Sequence, residues 1–259
     1  TAKASLAAGD YAVFGHPIEG LDVAELKWGT AAALPATVRL GCRAPAGTYG
    51  VSVRNASGAL VYIAEVVVAA GEAMTDVLKT FVIPAQTTGT WPTSNVLGAI
   101  LYICLCSGTT GQGAAGWGST SGLYTTANQF NLFATAGNTF DLFDVGLYDG
   151  SVLPDFVVPT VQLATSACQR YFFAAGLTMR FTAGAAGAFL SQQFTYPTAM
   201  RAPPTMTLDG TSRSNLATLS FPQVSGFGSL TSTGVFISSV NPGDCYIFNE
   251  NMYGSARLW

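Results

Sequence analysis

Apolar side chains in this chain recur at every second position, the period of a strand with one face buried. Tyr49, Val51 and Val53 alternate with Gly50, Ser52 and Arg54, and Asn55-Ala56-Ser57-Gly58 then leads into an apolar run over 60–68. Asn and Gly tolerate the positive φ of a tight turn, so this segment reads as a hairpin. Val38, Leu40 and Cys42 alternate with Arg39 and Arg43, and a further run over 77–83 stops at Pro84. In a strand over 138–151 the apolar phase slips between Leu142 and Phe143, which predicts a β-bulge there. Strand runs separated by Gly, Thr and Ser turns predict an all-β fold, a jelly-roll β-sandwich.

Two short helices interrupt the pattern. Residues 18–26 suit a turn or two. Residues 160–174 suit a longer helix, because Thr160 can cap it and Leu163, Ala167, Tyr171 and Ala174 fall on one face. Pro154 and Pro159 bound an extended connector before it. The expected division is therefore a jelly-roll domain over 1–159, then a linking helix and a smaller β-rich domain over 160–259. Strand-like runs in the second part fall at 189–194, 205–208, 216–221, 235–239 and 245–248. With about a hundred residues this part builds a modest core, and a terminal Trp259 suggests that the chain end packs on something. No secretory signal is visible at Thr1, and the chain reads as cut from something longer.

Charge narrows the function classes. Of 259 residues 49% are hydrophobic and only 10% charged, against about 25% charged in ordinary domains. A surface so poor in charge points to burial between subunits. A net charge of −3 with scattered basic residues lacks the footprint of a nucleic-acid binder. The apolar runs, including 97–106, fall short of the ~20 residues of a membrane helix, so no membrane insertion is expected. Five cysteines at irregular spacing do not form a disulfide framework. Cys104 and Cys106, two apart on a strand, share a face and read as small buried hydrophobes.

Several constellations invite chemistry. Gly111-Gln112-Gly113-Ala114-Ala115-Gly116 matches the dinucleotide fingerprint in letters, but Trp117-Gly118-Ser119-Thr120 after it is loop where a helix is required. His16 is the only histidine, and no nucleophile elbow accompanies it. Asp141 and Asp144 are a conceivable carboxylate pair for glycoside cleavage. Trp91, Trp117 and Tyr124 lie in Gly/Thr/Ser-rich connections, with Gln112 nearby. A flat aromatic stacks on a sugar ring while an amide satisfies hydroxyls, which makes these four the candidate carbohydrate-binding residues. The same aromatics are equally suited to plugging sandwich edges. Asn55-Ala56-Ser57 has the form of a glycosylation sequon, which turn chemistry also explains.

A series of segments in order resembles a known family. Ile18-Glu19-Gly20 followed by Leu26-Lys27-Trp28-Gly29-Thr30, then Gly47-Thr48-Tyr49-Gly50-Val51-Ser52-Val53-Arg54-Asn55, Thr87-Thr88-Gly89-Thr90-Trp91 and Gln112-Gly113 with Trp117 are similar to motifs of tailed-bacteriophage tail-fibre and receptor-binding proteins. Thr139-Phe140-Asp141-Leu142 through Gly150-Ser151, Cys168-Gln169-Arg170-Tyr171-Phe172 and Met200-Arg201-Ala202-Pro203-Pro204-Thr205 complete the series. In that family a carbohydrate-binding-module-like jelly roll is joined through a C-Q-R-Y-[YF] segment to a distal β domain. The family's strand carries a Glu where this chain has Tyr148-Asp149, so no role of that Glu is carried over. The resemblance implies a virion protein, a non-enzymatic homotrimeric fibre or spike subunit attaching to a host-surface glycan alongside other virion proteins. A purely structural virion subunit and a glycan depolymerase are its alternatives. It implies no cofactor beyond a structural calcium at Asp144, where related modules place an acid.

Overall fold

The computed structural model describes residues 2–154, 157–210, 212–221 and 230–257. Trp259, expected to be packed, lies outside them. Two compact units divide between residues 156 and 157, and both are all-β.

Among the described residues the first unit has eight strands: β1 (Tyr11–Glu19), β2 (Ala36–Arg43), β3 (Gly47–Asn55), β4 (Val61–Val68), β5 (Val77–Ile83), β6 (Leu97–Ser107), β7 (Gly116–Gly118) and β8 (Asp141–Asp149). They form a five-stranded sheet of order β1-β6-β3-β4-β7 and a three-stranded sheet of order β5-β2-β8, with every pairing antiparallel. The chain crosses repeatedly from one sheet to the other, giving the jelly-roll type of sandwich. Inward residues meet in one core, where Val38, Leu40 and Ile83 of the small sheet join Val51, Val53, Leu101 and Ile103 of the large one. The expected turns at 18–26 are a single turn of helix α1 (Gly20–Val23) and a 3-10 turn, Ala24–Leu26.

The large sheet is covered on its other face as well, by the segment after β6. A side chain at Gly50 would have its Cβ 2.2 Å from Thr125 Oγ1, so the covering segment lies directly on the strand. Where β3 and β6 stop pairing beyond Val51 and Ile103, Gln129 fills the gap. Its Oε1 accepts from the Gly50 amide at 2.8 Å, and its Nε2 donates to the Cys104 carbonyl at 3.0 Å. Strand β6 is thereby buried on both faces, which is why it reads as a continuous apolar run. Cys104 and Cys106 are buried, and burial pushes the Cys104 thiol up to about 12.

The bulge in β8 falls slightly beyond its expected place. The register slips between Arg39, opposite Gly146, and Gly41, opposite Phe143, so Asp144 and Val145 together oppose Leu40, one residue more than a regular ladder holds. Asp144 takes the left-handed conformation, with φ of 49°, which Asp accepts better than a bulky neighbour. Periodicity located the slip but could not say which residue would take the unusual φ.

The second unit comprises helix α2 (Val161–Gln169) and strands β9 (Phe172–Ala183), β10 (Phe189–Thr195), β11 (Thr205–Asp209), β12 (Arg213–Ser214), β13 (Leu216–Ser220), β14 (Ser232–Ser239) and β15 (Gly243–Ser255). β15 pairs with β9, β11 and β12, and β14 with β10 and β13. Leu177, Met179, Val235, Ile237, Ile247 and Met252 are the centre of its core. The helix is shorter than expected. Tyr171 lies in the turn after it and Ala174 in β9, because Phe172 and Phe173 enter a long ladder with β15 and tertiary pairing overrides local helical spacing.

Candidate functional site

The sequence-level candidates separate onto different sides of the first unit. Trp91 is a core residue, 7% exposed. It meets Trp28 edge-on at 4.7 Å and Trp117 at 6.0 Å, while Trp28 and Trp117 meet at 5.6 Å and Tyr62 closes on Trp117 at 5.3 Å. Each indole N–H is committed to a backbone carbonyl: Trp28 to Leu34 at 2.8 Å, Trp91 to Thr88 at 3.2 Å and Trp117 to Pro84 at 2.9 Å. Trp91 therefore offers no face to a ligand, and half-buried Trp117 belongs to the same packed group. For these two residues the structure favours the edge-plug reading. Loop composition could not reveal this, because it does not show which loop folds back onto the core.

Tyr124 has a different setting. Its ring stacks on Tyr11 at 5.0 Å with 21° between planes, and meets Tyr102 edge-on at 5.2 Å. The Arg54 guanidinium lies 4.9 Å from the centre of the Tyr102 ring. The register explains the cluster. Tyr102 on β6 is opposite Gly15 on β1, and Ile100, two residues back, is opposite Arg54 on β3. Tyr102 and Arg54 thus project from the outer face of the large sheet. A Cβ at Gly15 would fall 2.9 Å from the Tyr102 ring, so the missing side chain lets the tyrosine lie across β1. Tyr11 is 58% exposed, and Tyr102, Tyr124 and Arg54 are half-buried.

This patch offers stacked phenol faces beside a cation. Burial raises the Tyr102 and Tyr124 hydroxyls above the ordinary phenol value, with Arg54 opposing the shift. Both are therefore neutral hydrogen-bonding groups at neutral pH. Gln112 has a structural task here, its Nε2 donating to the Ser107 carbonyl at 3.0 Å; it pins the loop that carries Tyr124. Sequence reading missed Tyr11, Tyr102 and Arg54, because strand alternation alone does not show which outward residues stay uncovered.

A second feature is a cleft of about 350 Å³ beside α1, between the edge strands β1 and β8. Ile18, Leu101 and Leu147 contribute its apolar part, and His16, Asp22, Glu25 and Asp149 its polar part. The single histidine is exposed on β1, in a cleft that three carboxylates also line.

Asp144 does not join either site. Its Oδ2 accepts from Arg39 Nε at 2.8 Å and also from Arg39 Nη2, so the carboxylate ties the bulge to the neighbouring strand. A calcium ion needs six to eight oxygen ligands. No group of three or more His, Cys, Asp or Glu suited to a metal occurs among the described residues, and a guanidinium already holds Asp144, so the surroundings do not fit calcium. Asp141 is exposed at the start of the same strand, opposite Arg43. Asn55 spends its amide in the hairpin, accepting from the Leu60 N–H at 3.1 Å and donating to the Thr90 carbonyl at 3.2 Å. The residues Gly111 to Gly116 lead into β7, not into a helix, so the nucleotide fingerprint has no structural basis.

No protein-family model matches the chain, and no curated protein sequence matches it. Among solved structures it is similar to recombinant discoidin II of Dictyostelium discoideum, with 8% identity over 98% of this chain and 79% of that one, at a TM-score of 0.22. So remote a likeness leaves the site to be judged on its own geometry.

Proposed function

We propose that this chain is a fibre or spike subunit of a tailed-bacteriophage virion, attaching without catalysis to a host-surface glycan. The observation that carries the binding reading is the Tyr11, Tyr102 and Tyr124 cluster with Arg54 beside it. Phenol faces stack on the C–H face of a pyranose, while the guanidinium and hydroxyls are donors to ring oxygens and acidic substituents. The virion assignment rests on the ordered motifs of residues 18–205. Each site of this kind is weak alone, so attachment depends on several copies held in one homotrimeric fibre with other virion proteins, each later contact being effectively intramolecular.

The test is a glycan-array screen of the purified chain followed by titration of the best ligand. Tyr11→Ala and Tyr124→Ala should each weaken binding about ten-fold, or ~1.4 kcal/mol. Unchanged affinity in both variants would remove this patch as the site. The cleft holding His16, Glu25 and Asp149 favours a second reading, glycan cleavage. Release of reducing ends by the wild type, abolished in Glu25→Gln, would replace the attachment reading with that one.

A further inference from the structure

Helix α2 is inside out for a chain that stands alone. Thr160 caps it, its Oγ1 accepting from the Leu163 amide at 3.3 Å. Ser166 and Gln169 are the partly covered residues of the helix, and Gln169 Oε1 accepts from Thr198 Oγ1 at 3.3 Å. The polar side thus faces its own chain. Val161 is 84% and Leu163 65% exposed, and Val157 and Val158 just before the helix are 78% and 73% exposed. These four are among the six most exposed large hydrophobic side chains of the described residues, and they lie within residues 157–169. A nine-residue helix is too short to hold itself in water, so such a face calls for cover.

We propose that residues 157–169 pack against the same segment of other copies of this chain. The choice of a second copy follows from charge. In a symmetric contact a residue near the axis meets its own counterpart, so any charge there would face its like. Residues 157–169 contain no Asp, Glu, Lys or Arg. Of their polar members, exposed Thr165 carries both a donor and an acceptor and can pair with its counterpart across an axis. Ala164 and Ala167 are small enough for helices to approach closely. The inference deepens the homo-oligomer of the proposed function by naming the surface that would build it.

The test is the solution mass of the full chain, by light scattering over a concentration series, for wild type, Val161→Glu and Leu163→Glu. Glu at position 163 completes a capping box with Thr160 and favours the isolated helix, so a loss of assembly cannot be blamed on unfolding. The wild type should assemble, and both variants should raise the half-association concentration at least ~100-fold, with unchanged circular dichroism. Phe189→Lys, at a residue 66% exposed on β10, should leave the mass unchanged. If the wild type assembles and both helix variants assemble equally well, this surface is wrong while the oligomer stands. If the wild type is a monomer throughout, the oligomer and this inference fall together.

Discussion

The first unit carries two aromatic clusters of similar size with opposite fates. Trp28, Trp91 and Trp117 pack edge to edge in and against the core, each with its N–H given to a backbone carbonyl. Tyr11, Tyr102 and Tyr124 gather on the outer side of the large sheet, with Tyr11 more than half exposed. The indoles have spent their polar atoms on the fold, whereas the phenols keep flat faces and an adjacent cation toward solvent. Aromatic content therefore says little about binding until it is known which rings have been used up by packing.

Trp91→Ala should have the largest effect on the tryptophan cluster. Truncating a buried Trp costs about 3–5 kcal/mol, so its urea midpoint should fall steeply. A variant of wild-type stability would show that the tryptophan cluster is not structural. Gly50→Val comes next. Its Cβ would strike Thr125, at up to about 3 kcal/mol of overpacking, and the segment bearing Tyr124 should lift. Glycan affinity and stability should then fall together, and retained affinity would uncouple the tyrosine patch from the covering loop.

Asp144→Asn keeps a residue that tolerates the left-handed backbone and removes the charge facing Arg39. A loss of about 1.5 kcal/mol is expected for a hydrogen-bonded ion, with glycan affinity unchanged. A fall in affinity would enlarge the site beyond the tyrosines. Tyr11→Ala should change stability by only about 0.5 kcal/mol, in contrast to its effect on binding; a stability loss as large as that of Trp91→Ala would erase the distinction between the clusters.

The smallest effects concern the cysteines. Cys42, Cys104, Cys106 and Cys245 are buried and Cys168 is exposed, so a thiol reagent should modify one cysteine of the native protein and all five after unfolding. Burial raises the four buried thiols above their ordinary value. Above about pH 8.5, where a free thiol ionises, the unfolded chain sheds protons that the native chain retains. The native state then binds more protons, and stability falls as pH rises. Urea midpoints at pH 7 and 9.5 should differ in that direction, and the opposite sign would refute the burial of these thiols.

Legibility in the sequence followed the range of the interaction. The 47–68 hairpin and the helix cap at Thr160 depend on neighbours a few residues away, and local sequence found them, whereas the slip in β8, set by its pairing with β2, was found only to within a few residues. The failures were all long-range. The helix expected to run to residue 174 ends at Gln169 because β15, some eighty residues later, takes Phe172 and Phe173 into a ladder. Trp91 was set beside Tyr124 as a loop aromatic because only packing distinguishes a loop folded inward from one lying on the surface.

What the sequence determined alone is an all-β chain of two parts, poor in charge and alternating at period two, because strand periodicity is local. Tertiary structure decided which aromatics remain available. Tyr11, Tyr102, Tyr124 and Arg54 come from four separate stretches, and Gly15 gives Tyr102 room across β1. No local pattern encodes that meeting, since strand register and one covering loop create it.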